Sequence, residues 1–92
     1  MEEIMKTATY TVKNALGIHA RPAADIARFV GKHKSEVTLT NGAKKANGKS
    51  VLMITALGAK KGAEVTVTVS GEDEEEVFTQ LDDMFTHGFY EE

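Results

Sequence analysis

Ninety-two residues are enough for one small core and no second domain, so residues 1–92 are expected to form a single unit, and 41% hydrophobic against 27% charged residues is the balance of a chain that folds. The absence of cysteine excludes disulfides and thiolate metal sites, and a net charge of −3 argues against nucleic acid as the main partner. Met1-Glu2-Glu3 has neither the basic nor the apolar stretch of an export signal, and no apolar run is long enough to cross a bilayer. A cytoplasmic protein without membrane insertion is expected.

Lys6 to Val12 alternates Ala8, Tyr10 and Val12 with threonines, the period of a strand with one buried face. A loop then leads to Gly17-Ile18-His19-Ala20-Arg21-Pro22-Ala23. Proline is tolerated only in the first turn of a helix, so Pro22 sets a helix start at about His19. Ala23, Ile26, Ala27 and Val30 share one helical face, Asp25, Arg28 and Lys32 fall outside it, and Gly31 ends the helix. Glu36 to Thr40 alternates again, and Asn41-Gly42 predicts a two-residue hairpin turn into a short strand at about Ala43 to Ala46. Ser50 is placed to cap a short helix from Val51 to Leu57, which Gly58 ends. Glu64 to Ser70 reads as a strand with Val65, Val67 and Val69 inward. Asp73 with Glu76 resembles a capping box for a last helix whose apolar face is Val77, Leu81 and Met84, flanked by Phe78 and Phe85. Gly88 ends that helix and leaves a short tail. The order β-α-β-β-α-β-α predicts an α+β fold with the helices on one face of a four-stranded sheet.

His19 is the candidate centre. At a helix N-terminus, unbonded amides and the macrodipole favour an anion, and Arg21 adds a planar cation suited to phosphate oxygens. A ring there can attack phosphorus in its neutral form and hold the product, or it can simply cap the helix; local sequence leaves both readings open. Gly42 to Ser50 imitates a phosphate-binding loop, but five residues separate Gly42 from Gly48-Lys49 where that loop needs four, which argues against nucleotide binding. The helix at Val51 to Leu57 is apolar nearly all round, so with Ile54 and Leu57 inward, Val51, Leu52 and Thr55 face out and await a partner. His33 and His87 fit no metal-ligand spacing with His19 and read as surface residues.

With these residues in hand, the chain resembles the histidine-containing phosphocarrier family, HPr, of the bacterial phosphoenolpyruvate-dependent sugar phosphotransferase system. The stretch from Gly17 to Ala23 is similar to that family's active-site segment, and Gly48-Lys49-Ser50 before an apolar helix is similar to its regulatory-serine region. The resemblance implies an open-faced β-sandwich with strand order 1-4-2-3. It implies His19 as phosphoacceptor through Nδ1, with Arg21 stabilising the phosphate, and Ser50 as a regulatory phosphorylation site. Partner contacts are expected at Ile18, Ala20, Ala24, Arg28, Lys49, Val51, Leu52 and Thr55. The implied partners are Enzyme I, the IIA components of sugar permeases, and in some bacteria HPr kinase/phosphorylase and a transcriptional regulator. A monomer without cofactor or metal is expected, a phosphoryl-transfer intermediate with no independent turnover. Asn14-Ala15-Leu16-Gly17 and the ending Phe85-Thr86-His87-Gly88-Phe89 are similar instead to NPr, the nitrogen-branch paralogue. A nitrogen-branch carrier, or a regulatory binding module acting through Ser50 and the following helix, are the alternatives.

Overall fold

The computed structural model describes residues 5–91. Its elements are β1 (Lys6–Thr11), α1 (Ala20–Gly31), β2 (Glu36–Asn41), β3 (Lys44–Asn47), α2 (Val51–Ala56), β4 (Glu64–Ser70) and α3 (Glu74–Thr86), followed by a short turn at Gly88–Tyr90. The strands form one antiparallel sheet in the order β1-β4-β2-β3. Val65, Val67 and Val69 on β4, with Val37 and Leu39 on β2, point to one side and are fully buried. There they join Ile26 and Val30 of α1, Ile54 of α2, and Val77, Leu81 and Phe85 of α3 in a single cluster, so all three helices cover the same face. The other face carries threonine pairs, with Thr9 and Thr66 hydroxyls 2.9 Å apart across β1 and β4. The period-2 pattern of β4 thus decides which side of the sheet is wet.

Four local expectations are corrected. The hairpin loop is Gly42-Ala43, one residue later than predicted, because Asn41 still pairs with Lys44 and only Gly42 takes a positive φ, +62°. Asn41 stays in the strand because its side-chain amide donates to the Leu57 carbonyl at 2.9 Å, tying β2 to the end of α2. The fully buried aromatic of α3 is Phe85, stacked on Tyr10 with centroids 5.1 Å apart, whereas Met84 is half-buried. His33 is no simple surface residue: it packs on Phe29 and hydrogen-bonds the Phe29 carbonyl and Glu76. The Phe29 carbonyl, and after it Glu76, raise the pKa of His33. That stabilisation is complete below about pH 6.5 and is lost as the pH rises through the raised value.

The fourth concerns the start of α3. Asp73 occupies the N-cap position but makes no side-chain cap bond. Its carboxylate turns across to the α1–β2 loop and accepts from the Lys34 and Ser35 amides at 3.0 and 2.9 Å and from the Ser35 hydroxyl. The reach back is made by Glu74, whose Oε1 accepts from the Gly71 amide at 2.9 Å, and not by Glu76. Hydrogen bonds to the charged form, that of the Ser35 hydroxyl foremost, lower the pKa of Asp73 to about 2. A depressed carboxylate contributes stability above its unfolded value, near 3.9, and loses it as the pH falls through the folded value. Asp73→Asn should therefore melt below the wild type at pH 6, with the gap closing between about pH 4 and pH 2. A gap that stays constant over that range would remove the carboxylate's charge from the account.

The tail is not free. Gly88, Phe89 and Tyr90 all take positive φ, +57°, +56° and +59°. For the two non-glycine residues this costs about 1–2 kcal/mol each. Burial of Phe89, 5% exposed and edge-on to Phe85 at 4.8 Å, offsets that by about 1.5–3 kcal/mol. Tyr90 stacks on His87 and donates its hydroxyl to Asp83. This left-handed turn brings Glu91 to the start of α1, where it meets His19.

Candidate functional site

Gly17 opens the site with φ +69°, and the next amide, that of Ile18, bonds the Ala59 carbonyl at 2.9 Å. Ile18, one of the expected partner contacts, is 3% exposed and part of the core that anchors the loop. His19 is the N-cap of α1 by its backbone, its carbonyl accepting from the Ala23 amide at 3.0 Å. Its side chain makes no cap bond, which disposes of the simple capping role.

The ring turns instead to Glu91. Nε2 lies 2.9 and 3.0 Å from the two carboxylate oxygens, and among the described residues Nδ1 makes no hydrogen bond. The same carboxylate accepts from Asn14 Nδ2 at 2.8 Å and pairs with Arg21 Nε at 3.0 Å. Asn14 is buried, and its amide also holds the Gly17 carbonyl at 2.7 Å, while among the described residues its Oδ1 has no partner. Hydrogen bonds from His19 first and Asn14 second hold Glu91 below its usual pKa. Three donors thus converge on one anion beside the first turn of α1, an arrangement that suits phosphate as well as carboxylate. Asn14 and Glu91 were missed as site residues in the sequence. Asn14 gives only the faint signal of a polar residue in a loop, and Glu91 gives none, since a left-handed turn at Phe89 and Tyr90 has no local signature.

The second predicted cluster lies on α2. Ser50 is its N-cap, with Oγ accepting from the Met53 amide at 3.1 Å, while Lys49 is exposed. Ile54 and Leu57 are buried, whereas Val51, Leu52, Met53 and Thr55 face out, Leu52 being 81% exposed. Met53 extends the expected patch. α1 packs beside α2; on it Ala20 and Arg28 are exposed, Ala24 is half-buried, and Arg28 pairs with Asp25 at 3.2 Å. A hollow between the β2–β3 hairpin and α2, lined by Thr38, Lys45, Lys49 and Met53 among others, includes none of His19, Arg21 and Glu91. Among the described residues no cluster could hold a metal ion, and no helix is long and apolar enough to cross a membrane.

Comparison with known proteins identifies the family. The family model described as the PTS HPr component phosphorylation site matches residues 6–87. The phosphocarrier protein HPr of Chlamydia pneumoniae is 39% identical over 84 residues, covering 91% of this chain and 78% of that protein. A multiphosphoryl transfer protein of Salmonella typhimurium is 36% identical over 88 residues, covering 92% of this chain and 23% of that longer protein. Among solved structures, HPr from Thermoanaerobacter tengcongensis superposes with a TM-score of 0.87 at 38% identity, covering 95% of this chain and 98% of that one. With the sheet order, the His19 segment and the family match in agreement, the chain belongs to the HPr family of phosphotransferase-system phosphocarriers.

Proposed function

We propose that His19 accepts a phosphoryl group on Nδ1 from phospho-Enzyme I and passes it to IIA components of sugar permeases. The observation that carries this reading is the ring's asymmetry: Nε2 is occupied by Glu91, and Nδ1 is left without a hydrogen bond. The neutral ring attacks phosphorus with the Nδ1 lone pair. Such a transfer needs positioning and charge balance more than covalent help, which the first turn of α1 and the Arg21 guanidinium are suited to supply. The donor phosphate arrives on a protein surface, and Lys49, Val51, Leu52, Met53 and Thr55 offer an apolar, basic-edged landing for it.

The test is to incubate the protein with phosphoenolpyruvate and sugar-branch Enzyme I, then add a IIA component. Label should appear on the carrier and leave it for IIA. Leu16, 71% exposed in the loop that precedes His19 and resembles NPr in sequence, favours testing a second donor, and the nitrogen-branch Enzyme I should be run in parallel. Faster labelling by that enzyme would move the carrier to the nitrogen branch.

Arg21→Ala should slow transfer about 10²-fold, the scale of losing one charge-stabilising donor, and Arg21→Lys should recover part of the rate because it keeps charge but loses the planar fork. Neither should shift the melting temperature much, since exposed ion pairs contribute about 0–1 kcal/mol. Equal rates for the three proteins would remove Arg21 from the chemistry.

Ser50 is proposed as the regulatory phosphorylation site for HPr kinase/phosphorylase in bacteria that have it, presenting the modified helix to a transcriptional regulator. A phosphate there adds about 1.5–2 negative charges at a helix start that favours them, beside the patch that must meet Enzyme I. Ser50→Asp should raise the KM for the carrier in the Enzyme I reaction while leaving the melting temperature within a few degrees. Unchanged kinetics would leave Ser50 as a helix cap.

A further inference from the structure

We infer that Glu91 is a positioning residue for phosphoryl transfer: its carboxylate keeps the proton of the His19 ring on Nε2, both before the phosphoryl group arrives and while it is carried. The inference rests on the reading of His19 Nδ1 as the acceptor. An ionised carboxylate only accepts hydrogen bonds, and both Glu91 oxygens lie within 3.0 Å of Nε2, so Nε2 must be the donor. A neutral ring with its proton on Nε2 has its lone pair on Nδ1. This contact is built and not incidental. The Glu91 side chain is only 13% exposed, is held by buried Asn14 as well as Arg21, and is delivered by a turn that keeps two non-glycine residues at positive φ. The charged side chains gathered here are Arg21 on α1 and Glu91 from the tail; the α2–β4 loop reaches the site through the Ala59 and Lys60 backbone beside Gly17.

The consequence appears in the bond changes. On loading, the Nδ1 lone pair forms the N–P bond while the donor's bond to phosphorus breaks and its electron pair stays with the donor. The Nε2 proton does not move. On delivery the Nδ1–P bond breaks, its pair returns to Nδ1, and the ring leaves as neutral imidazole because Nε2 is still protonated. A phosphorylated ring that had lost the Nε2 proton would have to depart as an imidazolate anion, a far poorer leaving group. Glu91 thus extends to higher pH the range in which the loaded carrier gives up its phosphate readily.

The test uses the full chain loaded chemically with potassium phosphoramidate, so that no partner enzyme is involved, and follows phosphate release against pH in wild type, Glu91→Gln and Glu91→Ala. The fast limb should extend to the highest pH in the wild type and fall back by about one unit in Glu91→Ala, so that release at the wild-type midpoint is several-fold slower. Glu91→Gln, which keeps an acceptor oxygen but no charge, should lie between. A merely structural role would lower the melting curves of the two variants without moving the profile. Superimposed profiles would overturn the inference, as would a wild-type Nε2–H resonance in the unloaded protein no more protected from exchange than in Glu91→Ala. Failure of Enzyme I to load the wild type would count instead against the carrier reading, since neither measurement here depends on it.

Discussion

His19→Ala is expected to abolish phosphoryl acceptance from Enzyme I while leaving the fold in place. The imidazole contributes no cap bond; on the proposed reading it supplies the nucleophilic nitrogen, and an alanine has no atom that can replace it. The backbone role survives, since the His19 carbonyl goes on accepting from the Ala23 amide. Glu91 loses one donor and keeps Asn14 and Arg21, so the stability loss should be about 1 kcal/mol or less, the scale of a part-exposed ion pair. The measurement is label from phosphoenolpyruvate through Enzyme I, scored as an acid-labile, base-stable adduct, beside a melting curve. Label that persists in the alanine protein would place the acceptor elsewhere, with His33 and His87 as the histidines to examine next.

Gly17→Ala should be the most damaging small substitution in the site. A Cβ at this position would lie 2.4 Å from the Ala59 carbonyl oxygen and 2.8 Å from the Lys60 Cα, and the φ of +69° disfavours any L side chain. Both obstructing atoms are backbone, so no side chain can swing away to relieve the contact. We expect a loss of about 2–4 kcal/mol, from left-handed strain together with forced separation of the loop from the α2–β4 connection. For a chain of this size each kcal/mol lowers Tm by about 4–8 °C, so the shift should be obvious in a melting curve. Gly71→Ala provides the control: its Cβ would meet the Ser35 Cα at 2.6 Å, again with a positive φ, but far along the chain from His19. Both variants should be destabilised. At a temperature where both remain folded, Gly17→Ala alone should accept phosphate slowly, because its loop carries His19. Wild-type kinetics in Gly17→Ala would mean that the loop relaxes without moving the ring.

Much of this architecture was legible wherever a strong local period met a strong breaker. Glu64 to Ser70 begins and ends where its alternation does, and α1 runs as Pro22 and Gly31 imply. The misreadings occur where a polar side chain chose a distant partner over a near one. Asn41 bonds Leu57 and so stays in the strand, and Asp73 turns from its own helix to the Ser35 loop. The candidate site divides in the same way. His19, Arg21 and Ser50 announce themselves by position at helix starts, while Asn14 and Glu91 matter only because the fold brings two residues 77 positions apart into contact. An apolar residue flanking a histidine, such as Ile18, reads equally well in the sequence as a contact or an anchor, and the fold buries it.

The placement of β4 between β1 and β2 has a kinetic consequence. β1 has a single neighbour in the sheet, and its ladder joins Lys6 to Val69 and Thr11 to Glu64, pairs separated by most of the molecule. The β2–β3 hairpin can form early because its closure is short, but β1 has nothing to pair with until β4 docks, and the loss of chain entropy in that long closure precedes any reward. Folding is therefore governed by the arrival of one strand. Weakening β4 at Val67, which sits opposite both Ala8 and Leu39, should slow refolding as well as speed unfolding.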